Sequence, residues 1–119
     1  TGSIQLADGS GLSRNNYISA RWMTDYLLAM RKSPAFGAFL SSLPAPGEGT
    51  LSVARLSRKG ERVRMKSGSM DGVLCYSGYI LGPDGAPRYC FSLLTNNAIA
   101  PVGEVRTALM GIVEFLLSL

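Results

Sequence analysis

The sequence predicts an α+β fold: three antiparallel strands flanked by helices. Three observations carry that expectation. Apolar residues recur at helical spacing before residue 44 and again near the C-terminus. Between them, apolar and cationic residues alternate along ERVRMK, and Pro83-Asp84-Gly85 supplies a turn between two strand-like runs.

Thr1 to Asn16, with ADGSGLSRNN at its centre, is rich in Gly, Ser and Asn and reads as an irregular loop. Ser19 is a candidate N-cap, after which Trp22, Met23, Tyr26, Leu27 and Met30 share one helical face; a helix is expected from about Ser19 to Arg31. Ser33-Pro34 offers a second start, and Phe36, Phe39, Leu40 and Leu43 continue it as a short helix ending near Leu43. PAPGEGT, Pro44 to Thr50, cannot extend a helix and should be a surface connection. Val63 and Met65 then alternate with Arg62, Arg64 and Lys66, a strand with one buried and one polar face that places Lys66 on the polar one. Val73 to Leu81 is apolar at both parities, which suits a central strand covered on both sides. Tyr89 to Thr95 returns as its hairpin partner. Val105, Leu109, Ile112, Val113 and Leu116 form the stripe of a last helix from about Gly103 to Leu117.

A chain of 119 residues fits one domain or a piece of one, and 46% hydrophobic with 17% charged residues excludes intrinsic disorder. Twelve Lys and Arg against eight Asp and Glu give +4, which suits an acidic partner without naming one. Histidine is absent, so His-based triads and His-ligated metals are excluded and acid–base chemistry falls to Lys, carboxylates, Tyr or Cys. Cys75 and Cys90 lack C-x-x-C spacing; buried free thiols are the simpler reading, a cross-strand disulfide the alternative. No leader opens the sequence, and Leu109 to Leu119 is interrupted by Glu114 and too short to span a membrane, so a soluble domain is expected.

Gly9-Ser10-Gly11 has the look of a nucleotide loop, but no strand precedes it and the third glycine is missing. Arg55, Arg58, Lys59, Arg62, Arg64 and Lys66 hold half of the chain's cations. No aromatic residue is interleaved with them, so a solvated strand face is expected rather than a nucleic-acid platform. Ser13-Arg14-Asn15 and Lys66-Ser67-Gly68 are each commonplace. Together and in this order they match S-x-N and K-[ST]-G, two of the three motifs of active-site serine penicillin-recognising enzymes.

ADGSGLSRNN, FLSSLPAPGEGTL, RVRMKSGSMDGVLCYSGYI and SLLTNN, in that order, resemble the D-alanyl-D-alanine carboxypeptidase/endopeptidase family, the class C low-molecular-mass penicillin-binding proteins. The resemblance implies part of a β-lactamase/penicillin-binding-protein transpeptidase-like fold and a bacterial enzyme outside the cytoplasmic membrane, periplasmic or extracytoplasmic. It implies no cofactor or metal. The partners implied are peptidoglycan stem peptides ending in D-Ala-D-Ala and, for the full-length parent, β-lactams.

The family's nucleophile stands in S-x-x-K, and no serine here has lysine three positions on. Ser57 has Lys59 at two, and Ser52 has Arg55, which cannot deprotonate to act as a base. The chain is therefore expected to be the C-terminal part of the penicillin-binding domain, inactive alone and paired with a missing N-terminal segment or with a second copy. By resemblance, Ser13 would relay a proton and Asn15, or Asn16 in its place, would orient the substrate. Lys66 and Ser67 would hold the terminal carboxylate, Gly68 would clear the path of the substrate, and the Ser69 N–H would face the oxyanion. The competing reading is a non-catalytic module that binds peptidoglycan or peptide carboxylates.

Overall fold

The computed structural model describes residues 4–52 and 54–119, without the side chains of Arg58 and Lys59. The first three residues of the expected N-terminal loop lie outside it. The rest of that loop is bounded by a short ladder: β1 (Ile4–Gln5) pairs antiparallel with β2 (Tyr17–Ile18), a pairing the Gly-rich composition concealed.

Helix α1 spans Ala20–Met30, and Ser19 caps it as expected, its hydroxyl accepting from the Trp22 N–H at 3.0 Å. Helix α2 is Phe36–Ser42. It begins later than the Ser-Pro signal suggests because Ser33 closes a turn first: its hydroxyl accepts from the Ala35 N–H and its carbonyl from the Phe36 N–H. The connection after α2 is more than surface. The Pro44 carbonyl accepts from the Met65 N–H at 3.1 Å, and the 3-10 turn Gly49–Leu51 ends on a fully buried Leu51. A second 3-10 turn, Arg58–Arg62, leads into the sheet.

The sheet has the order β3 (Val63–Met70), β4 (Val73–Leu81), β5 (Pro87–Thr95), antiparallel throughout. Helix α3, Val102–Leu117, packs on one face and α1 with α2 on the other. Strand alternation separates two cores. Val63, Met65, Leu74, Tyr76, Ile80 and Phe91 meet Leu109, Met110, Val113 and Leu117 on the α3 side. Tyr79 and Leu81 meet Leu27, Phe36 and Phe39 on the other. Tyr79 anchors the second core: its hydroxyl donates to the Leu27 carbonyl at 2.6 Å, and Phe36 and Phe39 stand edge-on to its ring. Coverage of β4 on both sides holds for Gly78 to Leu81, whereas Cys75 and Ser77 are only half-buried.

The expected α3 stripe holds at Leu109 and Val113, with Val105 and Leu116 partly buried against the core, and takes in Met110 and Leu117 rather than Ile112. Leu109, Met110, Val113 and Leu117 are the buried positions, while Ile112 remains 44% exposed. The cysteines are free and half-buried. Cys75 faces Leu94 and Cys90 faces Tyr79, so the two are four ladder positions apart. That is about 13 Å at strand rise, far beyond the ~7 Å Cα limit of a disulfide. Burial pushes both thiols up from their ordinary pKa, which keeps them protonated and inert.

Candidate active site

The site forms on the outer edge of β3. Met65 donates its N–H away from β4, to Pro44, and the strand period of two turns the N–H groups of Ser67 and Ser69 to the same edge. The Pro44 segment closes that edge at Met65. Beyond it, from Lys66 to Ser69, the strand borders an open cleft of about 540 Å³ lined by Thr50, Lys66, Ser67, Gly68, Ser69, Leu74, Tyr76, Val102 and Arg106.

Within the cleft the pleat sorts the side chains. Val63 and Met65 face α3, so Ser67 and Ser69 do too, and Lys66 and Gly68 take the opposite face. Lys66 is exposed, as its alternation predicts, and its ammonium bends round the edge to a short hydrogen bond with the Ser67 carbonyl. The Ser67 hydroxyl donates to Thr50 Oγ1 at 2.9 Å, which ties the strand to the 3-10 turn. A Cβ built on Gly68 would meet no atom within 4 Å, leaving the edge clear for a ligand backbone. No carboxylate is among the lining residues, so Lys66 and Arg106 make the cleft positive.

Ser13, Asn15 and Asn16 are not among those lining residues. The structure gathers them instead within the N-terminal loop. The Asn15 N–H donates to the Ser13 hydroxyl at 3.1 Å, and Asn16 Oδ1 accepts from the N–H groups of Ala7 and Asp8 at 2.7 and 3.3 Å. Asn16 Nδ2 donates to Asp8 Oδ1 at 2.9 Å. That bond, then one from the Ser10 hydroxyl, holds the Asp8 carboxyl below its ordinary pKa. The Gly9-Ser10-Gly11 tripeptide is thus folded about Asp8, whose Oδ1 also accepts from the Gly11 N–H.

Two members of the basic cluster serve the fold. Arg62 Nη2 donates to the Leu117 carbonyl at 3.2 Å, capping the C-terminus of α3, and Arg64 donates to the carbonyls of Glu61 and Val63. Arg55 is exposed; the side chains of Arg58 and Lys59 lie outside the described residues.

Sequence reading missed Thr50 and Arg106. Thr50 sat in a segment expected to be a surface link. Arg106 had a usable signal: it precedes Leu109, Met110 and Val113 by three, four and seven positions, on the helix face that buries them.

The sequence profile of the D-Ala-D-Ala carboxypeptidase 3 (S13) family matches residues 1–116. The chain belongs to this family. As an S13 family member it is 36% identical, over 108 aligned residues, to a D-alanyl-D-alanine carboxypeptidase of Actinomadura sp. (strain R39), covering 85% of this chain and 20% of that protein. Its fold is similar to the crystal structure of penicillin binding protein 4 (dacB) from Haemophilus influenzae, with a TM-score of 0.72 and 28% identity over 97% of this chain and 27% of that one. The same protein in complex with a β-lactam matches equally well, at TM-score 0.72 and 28% identity. The chain therefore spans about a fifth of the curated relative and roughly a quarter of the crystallised one. Among the described residues no helix is long and apolar enough to cross a membrane.

Proposed function

We propose that this chain is the C-terminal part of the penicillin-binding domain of a serine D-Ala-D-Ala carboxypeptidase/endopeptidase. The parent would act on peptidoglycan stem peptides ending in D-Ala-D-Ala, outside the cytoplasmic membrane of a bacterium, and would be acylated by β-lactams. Family membership supports the reaction class. The observation that carries the site is the convergence, on one unblocked stretch of strand edge, of Lys66, Ser67 and the outward N–H groups of Ser67 and Ser69.

In this reading a peptide lies along β3 as an added strand, bonding to the edge that the Pro44 segment leaves open. Lys66 exchanges the Ser67 carbonyl for the substrate's carboxylate, a charge-assisted contact that gains strength as water leaves the cleft. The Ser69 N–H is one oxyanion donor. The nucleophile and its lysine come from a segment outside these 119 residues, since the chain has no S-x-x-K. Ser13 relays a proton and Asn15, or Asn16 in its place, orients the substrate, on the loop whose internal bonds hold the three residues together. Ser13→Ala or Asn15→Ala in the full-length protein should lower acylation by about 100-fold or more with stability unchanged, and unaltered acylation would remove them from the mechanism.

The deciding test uses the full-length protein carrying this segment. Lys66→Ala should lower kcat/KM for an acyl-D-Ala-D-Ala peptide by about 100-fold or more with the fold intact. Unaltered kinetics would remove Lys66 from the mechanism. A wild-type protein that binds the peptide but never forms an acyl adduct with a β-lactam would be a binding module instead.

A further inference from the structure

Arg106 stands in the second turn of α3, half-buried, and lines the cleft beside Ser67, Ser69 and Thr50. Its Nε is fully buried and has no hydrogen-bond partner among the described residues. A buried guanidinium N–H without an acceptor is rare, because the group keeps the cost of leaving water and gains nothing in return. Arg62 shares the orphan Nε, but its Nη2 is spent on the Leu117 carbonyl and it does not line the cleft. Arg106 is the arginine that lines the candidate site and whose guanidinium makes no hydrogen bond or ion pair among the described residues.

The pleat gives that position its meaning. Lys66 belongs to the face of β3 away from α3, whereas the hydroxyls of Ser67 and Ser69 belong to the α3 face. The cation on the hydroxyl side of the strand is therefore Arg106. The first turn of α3 adds to it: Val102 lines the same cleft, and no side-chain acceptor caps the helix start.

We infer that Arg106 is a specificity-determining residue of this cleft, receiving a carboxylate of the ligand through its paired Nη–H groups, with the Ser67 hydroxyl as third donor. The source is the C-terminal carboxylate of a peptide or the ring carboxylate of a β-lactam, which share this chemistry. The inference rests on the reading of the cleft as a peptide-carboxylate site and adds to it a division of labour. Ser67 turns its hydroxyl from Thr50 toward the ligand, Arg106 reads the charge and planarity of the carboxylate, and Lys66 acts from the other face of the strand.

The test compares an acyl-D-Ala-D-Ala peptide with the same peptide ending in a carboxamide, on the full-length protein and its Arg106→Met and Arg106→Lys variants. Wild type should prefer the carboxylate. Arg106→Met, which keeps the apolar stem, should raise KM for the carboxylate peptide about 10- to 100-fold and leave the carboxamide nearly unchanged. Arg106→Lys should recover the charge preference only in part, for want of the fork. Wild type that treats the two peptides alike, or turns over neither, overturns the carboxylate reading of the cleft and this inference with it. Wild type that discriminates while Arg106→Met discriminates equally overturns Arg106 alone. Equal losses on both peptides, accompanied by a fall in Tm, mark Arg106 as structural.

Discussion

Lys66 and Ser67 are neighbours in sequence, yet the strand sends their side chains to opposite faces, and Lys66 reaches Ser67 only through its backbone carbonyl at the edge. The K-S-G tripeptide was legible because a strand presents a linear motif in linear order, so parity alone placed Lys66. Arg106 was not, since forty positions of chain and the crossing from sheet to helix separate it from Lys66. If the Ser69 N–H is an oxyanion donor, removing it should act on turnover without unfolding the sheet, because an outward N–H on an edge strand makes no ladder bond. Ser69→Pro in the full-length protein should lower kcat by about 100-fold or more while Tm stays within a few degrees. Unaltered acylation by a β-lactam would refute that role. Tyr79 makes a different residue-scale prediction. Burial pushes its phenol up to about 12, against 10.0 for the free group, so the folded state holds its proton more tightly than the unfolded one. The resulting stability is fully present below pH 10 and is lost as pH rises through 12. Urea titrations between pH 8 and 12 should show a steeper alkaline decline for wild type than for Tyr79→Phe; parallel profiles would contradict it.

The β3–β4 ladder depends on Gly78. A Cβ at that position would lie 2.0 Å from the Arg64 carbonyl oxygen and 2.6 Å from the Met65 Cα, so β3 must move away to admit any side chain. Gly78→Ala should cost about 3 kcal/mol or more, as overpacking against backbone does, and should shift the edge that carries Lys66 to Ser69. A fall in the denaturation midpoint together with weakened β-lactam acylation of the full-length protein is the expected result, and wild-type stability would exclude the close approach. Sequence pattern identified all three sheet strands and all three helices, the helices and β3 by their periods, β4 and β5 as the strand-like runs flanking the Pro83-Asp84-Gly85 turn. It failed where period carries no information. β1 and β2 are two residues each, too short for any pattern. In α3, apolar residues occupy Leu109, Met110, Ile112, Val113, Phe115, Leu116 and Leu117, so several faces were equally plausible, and only docking against β4 selected the one with Met110 and Leu117.

The face of α3 left over by that choice governs the behaviour of the whole molecule. Ile112 and Phe115 are 44% and 64% exposed, three positions apart on one side of the helix, and Leu119 just past its end is 56% exposed. β3 also keeps an open edge from Lys66 to Ser69. Apolar helix faces and open strand edges are surfaces that proteins bury or blunt. The relatives are about four to five times the span matched here, and in them further chain is at hand to cover such surfaces. The isolated 119 residues should therefore self-associate at micromolar concentration, and Ile112→Lys with Phe115→Lys should shift the sedimentation profile toward monomer without lowering Tm, since neither side chain belongs to a core. The isolated chain should also form no acyl adduct with a β-lactam by mass spectrometry, for lack of an S-x-x-K serine. The two results are separable: a compact wild-type monomer would mean that the α3 face tolerates water, whereas an adduct on the isolated chain would mean that it carries its own nucleophile.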